Sequence, residues 1–376
     1  MKATLYGTLS FIGKTDGFCV LLCEEARMKM NRAASISLVA AVGVALASVA
    51  RADAVSDFYA GKDVSLIVGS APGGGYDAAT RLLSRHYSKH IPGKPTIIVR
   101  NMPGAGSLNM MNNVANVAAK DGTVIGAPQN TAPLERLLHI LSKEGKNANF
   151  DAEKLNWIGT SSQDVYLLIA WHTAPVNSFA DLQKTEIVVG SSGHNTDHSI
   201  TARLLNQTFG TKLKIVTGYP SAQEIMLAME RGELQGNSGR AYSSLMSGFS
   251  HLVRDKKVKL LVQMGVTPHP DLKHVPFALD LVKDEDERKV LELTFSKFQM
   301  SRPLFVAAEA PKDRVQALRR GFDAMMKDPE MLADAGKSQI DIDPLSGEDV
   351  QKLVQKLFST PLPLVEKARA LMQPPQ

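Results

Sequence analysis

The sequence predicts an α/β protein of two domains, built on open sheets with a ligand cleft between the lobes. Three observations support this fold class. Apolar strand patterns alternate with helical patterns, polar loops rich in glycine join many of the strands to the next helix, and these units come in two sets that divide near residue 160. Such units form parallel sheets, and their ligands bind at the carboxyl ends of the strands.

The first set contains three strand–loop–helix units. Short apolar runs predict strands, and apolar residues at helical spacing predict the helices between them. Pro92 and Gly93 end the first helix, and Ser107 is the expected N-cap of the second. We predict strands at 64–68, 96–99 and 123–127, with helices at 78–90 and 108–119.

The second set repeats this organisation. Gly210 and Gly232 end its two helices, and the polar run at 236–240 follows a short strand and is expected to be a loop. The carboxy-terminal part carries no glycine-rich loop and is expected to complete and cover the first domain. We predict strands at 165–170, 186–190, 213–217, 258–264 and 304–307, and helices at 198–209, 222–231, 312–326 and 347–358.

The domain boundaries follow from these two sets. Residues 1–54 are a leader with a signal peptide, residues 161–266 form domain 2, and domain 2 is inserted into domain 1, which comprises 55–160 and 267–376. Two connections, near 160–170 and 258–266, are the expected hinge between the domains.

The leader predicts export. A basic segment at 28–32 precedes an apolar run at 33–49, and A-x-A cleavage motifs follow at 50–54, which is the pattern of a secretory signal peptide. This position favours Met28 or Met30 as the translation start. Both cysteines of the chain, at 19 and 23, lie in the leader. The mature protein is therefore expected to be periplasmic, without a disulfide and without a membrane anchor.

The charge pattern argues against nucleic acid as a partner. The formal net charge is only +5, and no Lys/Arg tract with interleaved aromatic residues occurs. A small anion is the better match for the run at 64–77, an apolar strand that leads into three glycines and a helix. Bare backbone N–H groups at a helix N-terminus bind anions, and the helix dipole favours negative charge there.

Enzyme motifs match poorly. Residues 73–78 satisfy G-x-G-x-x-A after a strand, but the second strand ends at Val99-Arg100-Asn101 without the acid that would bind a ribose. No G-K-[ST] follows the glycines, and neither 190–193 nor 236–239 is a G-x-S-x-G elbow. No cofactor and no catalytic residue is therefore expected.

Several motifs together resemble the tripartite tricarboxylate transporter receptors, the Bug-type family. They are A-P-G-G-G-Y-D at 71–77, N-M-P-G-A-G at 101–106, G-S-S-G at 190–193, Gly218-Tyr219 and H-P-D-L-K-H-V-P at 269–276. The resemblance implies a monomeric periplasmic solute-binding protein that closes on a small mono- or dicarboxylate. It also implies delivery to a transporter with one large and one small membrane subunit. The alternatives are a receptor that signals to a membrane kinase and, further away, an exported hydrolase or dehydrogenase.

The resemblance also assigns two walls to the ligand cleft. The first wall comprises the glycine loops 72–75 and 103–106, and the second comprises the loop 191–198 with Tyr219 nearby. Short hydroxyls and free N–H groups at a helix start are natural carboxylate donors. The expected binding residues are Pro72, Gly73, Gly74, Gly75, Tyr76, Asp77, Pro103, Gly104, Ala105, Gly106, Asn130, Ser191, Ser192, Thr196, His198, Tyr219 and Arg240.

Four of these assignments have structural alternatives. Asp77 recognises a ligand amine or caps its helix, and Arg240 pairs with a ligand carboxylate or is solvated. Tyr76 and Tyr219 stack on a ligand or pack at the rim. His198 has metal-pair spacing with His194, but no third ligand has recognisable spacing, so no metal is expected.

Overall fold

The structure is a computed structural model that describes residues 54–141 and 145–373. The expected signal peptide, its cleavage motifs, the candidate start methionines and both cysteines lie outside the described residues. Within the described ranges, no helix combines the length and the apolar character needed to cross a membrane.

The first of two sheets has six strands and confirms the parallel arrangement predicted for the first set. Strand β1 (Asp63–Val68) pairs in parallel with the edge strand β2 (Thr96–Asn101) and with β3 (Val124–Ala127). Three antiparallel strands extend the sheet beyond β3: β10 (Pro303–Val306), β4 (Asn156–Thr160) and β11 (Leu345–Ser346).

The second sheet has five strands, all between residues 166 and 264. The strands are β5 (Tyr166–Trp171), β6 (Ile187–Ser191), β7 (Leu213–Thr217), β8 (Gly236–Ala241) and β9 (Val258–Met264). Their order in the sheet is β7-β6-β8-β5-β9, with β6 parallel to β7 and β8, and with β5 antiparallel to β8 and β9. Two sheets that carry helices confirm the two-domain α/β fold class.

Helices cover both sheets. The α-helices within the described ranges include α1 (Gly75–Tyr87), α2 (Leu108–Asn116), α3 (Glu135–Leu138), α4 (Asp197–Phe209), α5 (Ala222–Glu230), α6 (Tyr242–Arg254), α7 (Glu285–Phe295), α8 (Lys312–Met325), α9 (Pro329–Lys337), α10 (Gly347–Phe358) and α11 (Leu362–Met372).

Two predicted boundaries were wrong for local reasons. Helix α1 begins three residues early, at Gly75, because Gly74 is extended (φ −80°, ψ 169°) and serves as N-cap. The run 236–240, expected to be a loop, is strand β8, and it is buried between β6 and β5 despite its polar residues.

Ser107 occupies the predicted N-cap position of α2 but does not cap the helix. It has φ 83°, and its hydroxyl donates to the Gly69 carbonyl (2.8 Å) and accepts the Gln129 N–H (3.0 Å). The side chain therefore ties together the loops that follow β1, β2 and β3.

The carboxy-terminal part only partly matches the prediction. Strand β10 lies inside the first sheet and α10 packs on β4, as expected for a segment that completes the first domain. Helix α11, however, packs against α4, a helix of the second sheet, and Arg203 of α4 donates from Nε to the Met372 carbonyl (2.7 Å).

The two sheets share a hydrophobic core. One continuous cluster of buried side chains includes Leu108 and Met111 beside the first sheet and Leu168 and Ile200 from the second. Because apolar packing is continuous across the sheets, the structure has the two lobes in contact.

Candidate functional site

The first glycine loop is held by Asp77, which is 3% exposed. Its Oδ2 accepts the Gly73 N–H (2.9 Å) and Arg81 Nε (2.9 Å), and its Oδ1 accepts Asn101 Nδ2 (2.8 Å). Burial raises the pKa of this carboxyl, but the bonds from Arg81, Gly73 and Asn101 outweigh burial and lower the pKa to about 2. Asp77 is thus an ionised clamp on the loop.

Asp77 is not the N-cap, because Gly74 takes that position and Asp77 lies in the first turn of α1. Its role as a ligand contact stays a prediction, but both of its oxygens already accept hydrogen bonds. Residues 72–75 themselves are exposed, and the first N–H groups of a helix have no acceptor within the helix. Asp77 binds the Gly73 N–H, and the exposed N–H groups at the start of α1 are the donors that could bind an anion.

The second glycine loop adopts a left-handed backbone at Gly104 (φ 126°), Ala105 (φ 45°) and Gly106 (φ 60°). The φ of Gly104 is one that L side chains rarely adopt, so this position favours glycine. Pro103, Gly104 and Ala105 are exposed. Both glycine loops follow paired strands, since the Met102 N–H donates to the Val68 carbonyl (2.8 Å).

Tyr76 and Asn130 form one network with Tyr166. The Asn130 N–H donates to the Tyr76 hydroxyl (3.2 Å), and Asn130 Nδ2 donates to the Tyr166 hydroxyl (3.4 Å). The Arg302 guanidinium lies over the Tyr76 ring, 4.4 Å from its centroid. A cavity of only about 10 Å³ remains beside these two side chains. In this state of the protein, Tyr76 packs against Arg302 with no room for a ligand ring.

The hydroxyl groups of the second wall bond to the Gly193 carbonyl and to one another. Ser191 Oγ and Thr196 Oγ1 each donate a hydrogen bond to the Gly193 carbonyl (both 2.9 Å). Ser191 Oγ also accepts a hydrogen bond from the Ser199 hydroxyl (2.7 Å). Ser192 is half-buried beside them. These bonds shape the loop before α4, and whether the hydroxyls also bind a ligand stays a prediction.

Tyr219 is half-buried at the edge of the same wall. Its N–H donates to the Ser191 carbonyl (3.3 Å), and its ring packs against the buried cluster of the second sheet. The contacts match the packing alternative, and a ligand contact by the ring edge stays a prediction.

His198 is a neutral imidazole in this site. Burial lowers its pKa from 6.5, and the positive charge of Arg240 lowers it further. Its Nδ1 lies 3.1 Å from the Ser238 carbonyl, which can only accept, so Nδ1 carries the proton. His198 therefore holds the start of α4 against β8.

Arg240 is buried, so the solvated alternative is wrong. It forms no ion pair among the described residues, and the negative charge of Asp164 acts on it only from beyond ion-pair distance. Only 3% of the residue is exposed, and the guanidinium donates to the carbonyls of Ala222 (3.4 Å) and Ser244 (3.0 Å). Its Nε has no hydrogen-bond partner among the described residues, and none of their carboxylates forms an ion pair with it. Burial lowers its pKa to about 10, so the group stays charged at neutral pH.

Asn237 is a second orphaned polar group, three residues before Arg240 on β8. The residue is completely buried, and neither its amide nitrogen nor its amide oxygen has a partner of hydrogen-bond geometry within the described chain. Its side chain is nevertheless close enough to His198 to raise the pKa of that imidazole, against the lowering by burial. Burying such atoms without partners costs about 1–3 kcal/mol each. Asn237 lies beside His198, so the unpaired groups are at the second wall.

Sequence reasoning missed two residues that lie where the walls meet. Lys297 and Phe298 follow α7, and Lys297 pairs with Asp197 while Phe298 stacks on Tyr166 with ring centroids 3.8 Å apart. The available signal was two cations, Lys297 and Arg302, in a mainly apolar run at 290–306.

Asp164 lies in the connection from the first sheet to the second. It accepts the Ser243 N–H (3.3 Å) and the Ser243 hydroxyl. Burial raises the pKa of Asp164 from 3.8 to about 6; Ser243 and Arg302 oppose the rise, and Asp341 adds to it. The carboxyl is therefore only partly protonated near neutrality.

Asp164→Asn is expected to stabilise the protein at alkaline pH and to change little below about pH 4. Because the folded pKa is above the unfolded one, the folded state binds more protons between these values, and the free energy of unfolding falls as pH rises through 6. Two pKa units correspond to at most about 3 kcal/mol. Melting temperatures of both proteins at pH 4 and pH 8 check this, and an equal difference at both pH values would contradict it.

One surface cluster in the described ranges has metal-ligand composition. Potential ligand atoms of His86, Asp328 and Glu330 lie within 4.8 Å of one another. Lys89 Nζ already lies 2.6 Å from Asp328 Oδ2 and 2.5 Å from Glu330 Oε2. The oxygens therefore pair with a side-chain cation, and the cluster joins α1 to α9.

Comparison with known proteins supports the fold. No protein-family model and no curated protein matches the sequence. Among solved structures, a TctC solute-binding protein from Polaromonas has a TM-score of 0.60 at 18% identity, over 83% of this chain and 98% of that chain. The periplasmic binding protein BugD has a TM-score of 0.59 at 18% identity, over 82% and 97% of the two chains.

A third similar structure contains a ligand. MatC from Rhodopseudomonas palustris with bound malate has a TM-score of 0.58 at 18% identity, over 83% of this chain and 99% of that chain. At these identities the similarity is one of fold. The resemblance to Bug-type receptors that the glycine motifs indicate is thus confirmed in the architecture of the chain.

Proposed function

We propose that the protein is a periplasmic receptor that binds a small organic mono- or dicarboxylate without transforming it. The observation that carries the proposal is Arg240, a buried guanidinium with an unpaired Nε and no ion pair within the described chain. The Asp164 carboxylate acts on it only from beyond ion-pair distance. Buried charges are normally paired, so a site of this kind needs an anion. The neighbouring Asn237 amide offers a donor and an acceptor to the same ligand.

Carboxylate binding follows from the donors on both walls. The free N–H groups at the start of α1 face an anion with the positive end of a helix dipole. Arg240 offers a charge-assisted bond from the second wall, and such bonds are about twice as strong as neutral ones. A ligand that contacts both walls favours the state in which they are together.

Hinge closure is the motion that would admit the ligand. We propose that 161–266 moves as domain 2 against 55–160 and 267–376, about the connections near 160–170 and 258–266. A cavity of about 170 Å³ lies between residues 163–165 and 266–270, where such a motion would bend the chain. The lobes in contact then correspond to the closed state.

The likeness in fold extends the proposal to a partner. The similar proteins are described as solute-binding and periplasmic binding proteins, and MatC holds malate. We propose the same compartment for this chain, after removal of the predicted signal peptide, and delivery of its ligand to the two membrane subunits of a tripartite transporter.

A thermal-shift screen tests this function. Ligands that bind only the folded state raise the melting temperature by mass action, so succinate, malate and adipate are compared with their diamides. We expect at least one acid to stabilise the protein while its diamide does not. Stabilisation by neither series, or by both equally, would contradict a carboxylate receptor.

A further inference from the structure

An ion pair joins the second wall to the segment after α7. Lys297 Nζ contacts Asp197 Oδ1, although the two residues are 100 positions apart. The Lys297 side chain is only 1% exposed, whereas that of Asp197 is 20% exposed. The cation is thus buried, whereas its anion is partly exposed to solvent.

A buried ammonium requires a negative partner, and this one has Asp197. Transfer of an unpaired charge into a protein interior is costly, and breaking a buried pair by removing one partner costs about 3–5 kcal/mol. Lys297 Nζ also lies over the Phe298 ring, 5.3 Å from its centroid. Among the described residues, Asp197 is the carboxylate that forms an ion pair with Lys297.

Asp197 is a carboxylate inside a site proposed to bind carboxylates. It is the first residue of α4, directly before His198. Burial is the main cause of the raised pKa of Tyr76, and the negative charge of Asp197 raises it further, so Asp197 acts beside the first wall as well as on its own. A ligand anion near these groups is repelled by Asp197 and attracted by Lys297.

We propose that Asp197 is an internal carboxylate that occupies Lys297 in the absence of ligand, and that a ligand carboxylate takes Lys297 from it. Lys297 is then a specificity-determining cation. This inference rests on the proposed function for its ligand, but the ion pair itself is independent of which solute binds. Because Asp197 neutralises Lys297 in the absence of ligand, the receptor favours ligands whose own negative charge replaces that of Asp197 at the ammonium.

Chemical rescue tests the exchange without knowledge of the natural ligand. In Asp197→Asn the buried ammonium lacks its anion, so we expect a lower melting temperature that 100 mM acetate raises by about 2–4 °C more than in the wild type. In the double variant Asp197→Asn/Lys297→Met the rescue should disappear. Equal responses of the single and double variants to acetate would overturn the proposal.

Calorimetric titration with malate and succinate tests the competition. Asp197→Asn should bind more tightly, by about fivefold or more, and Lys297→Met should bind at least about tenfold more weakly. Asp151→Asn is the matched control, because Asp151 pairs with Lys154 on the surface, and its affinity should be unchanged. Weaker binding by Asp197→Asn would overturn the proposal.

The two experiments separate two failures. If no carboxylate binds the wild type but acetate rescues Asp197→Asn through Lys297, the proposed function fails and the internal pair stands. If malate or succinate binds and neither acetate rescue nor tighter binding by Asp197→Asn is observed, the receptor function stands and the exchange at Lys297 is excluded.

Discussion

Arg240→Met is expected to weaken carboxylate binding by at least about 100-fold, which corresponds to about 2.8 kcal/mol. Truncating one member of a buried, hydrogen-bonded charge pair costs about 2–5 kcal/mol, and Arg240 Nε has no partner in the described chain to compensate it. Calorimetric titration with an acid that stabilises the wild type measures the loss.

Arg240→Lys is the control for charge. It keeps the positive charge but loses the planar fork, so its affinity should lie between those of the wild type and Arg240→Met. Circular dichroism of all three proteins checks the fold, because the guanidinium also bonds the carbonyls of Ala222 and Ser244. A folded Arg240→Met protein with wild-type affinity would contradict the role assigned to Arg240.

Asn237→Leu is expected to stabilise the ligand-free protein while weakening ligand binding. The substitution removes two buried polar atoms without partners, each costing about 1–3 kcal/mol, and replaces them with an apolar side chain of similar volume. The free energy of unfolding should rise by about 1–2 kcal/mol, and affinity should fall by about tenfold. Urea denaturation and calorimetry measure the two effects.

Asn206→Leu is the matched control for this substitution. Asn206 Nδ2 donates to the Leu213 carbonyl (2.9 Å), and its Oδ1 accepts the Leu213 N–H (2.9 Å) and the Thr211 hydroxyl (2.7 Å). Removing a partnered amide leaves these groups unsatisfied, so this variant should be less stable with unchanged affinity. Destabilisation of Asn237→Leu to the same extent would show that Asn237 is structural.

Local patterns in the sequence account for most of the fold. The glycine loops, the parallel strands around β1 and the ends of α4 and α5 follow from short-range signals: apolar runs, helical spacing and glycines with positive φ. Strand β8 was missed because Gly236, Asn237, Ser238 and Gly239 have the composition of a loop. A buried strand made of polar residues conflicts with local propensity, and such conflicts are typical of functional sites.

The second half of the site depends on long-range packing. Asp197 and Lys297 are each ordinary surface residues in sequence, and only the approach of two lobes makes them a buried pair. The contact between Arg203 and Met372 likewise depends on where α11 packs. The contacts of Asp77 with the glycine loop are predictable from sequence only in part. Its hydrogen bond with Gly73 is local, whereas its hydrogen bond with Asn101 joins residues that are distant in sequence.

A crystal structure of the protein with its bound acid would test the central claim most directly. The account predicts a ligand carboxylate within hydrogen-bond distance of Arg240 Nε, near the Asn237 amide, with the N–H groups at the start of α1 facing the same ligand. A ligand held elsewhere, with Arg240 Nε and the Asn237 amide still unpaired, would contradict it.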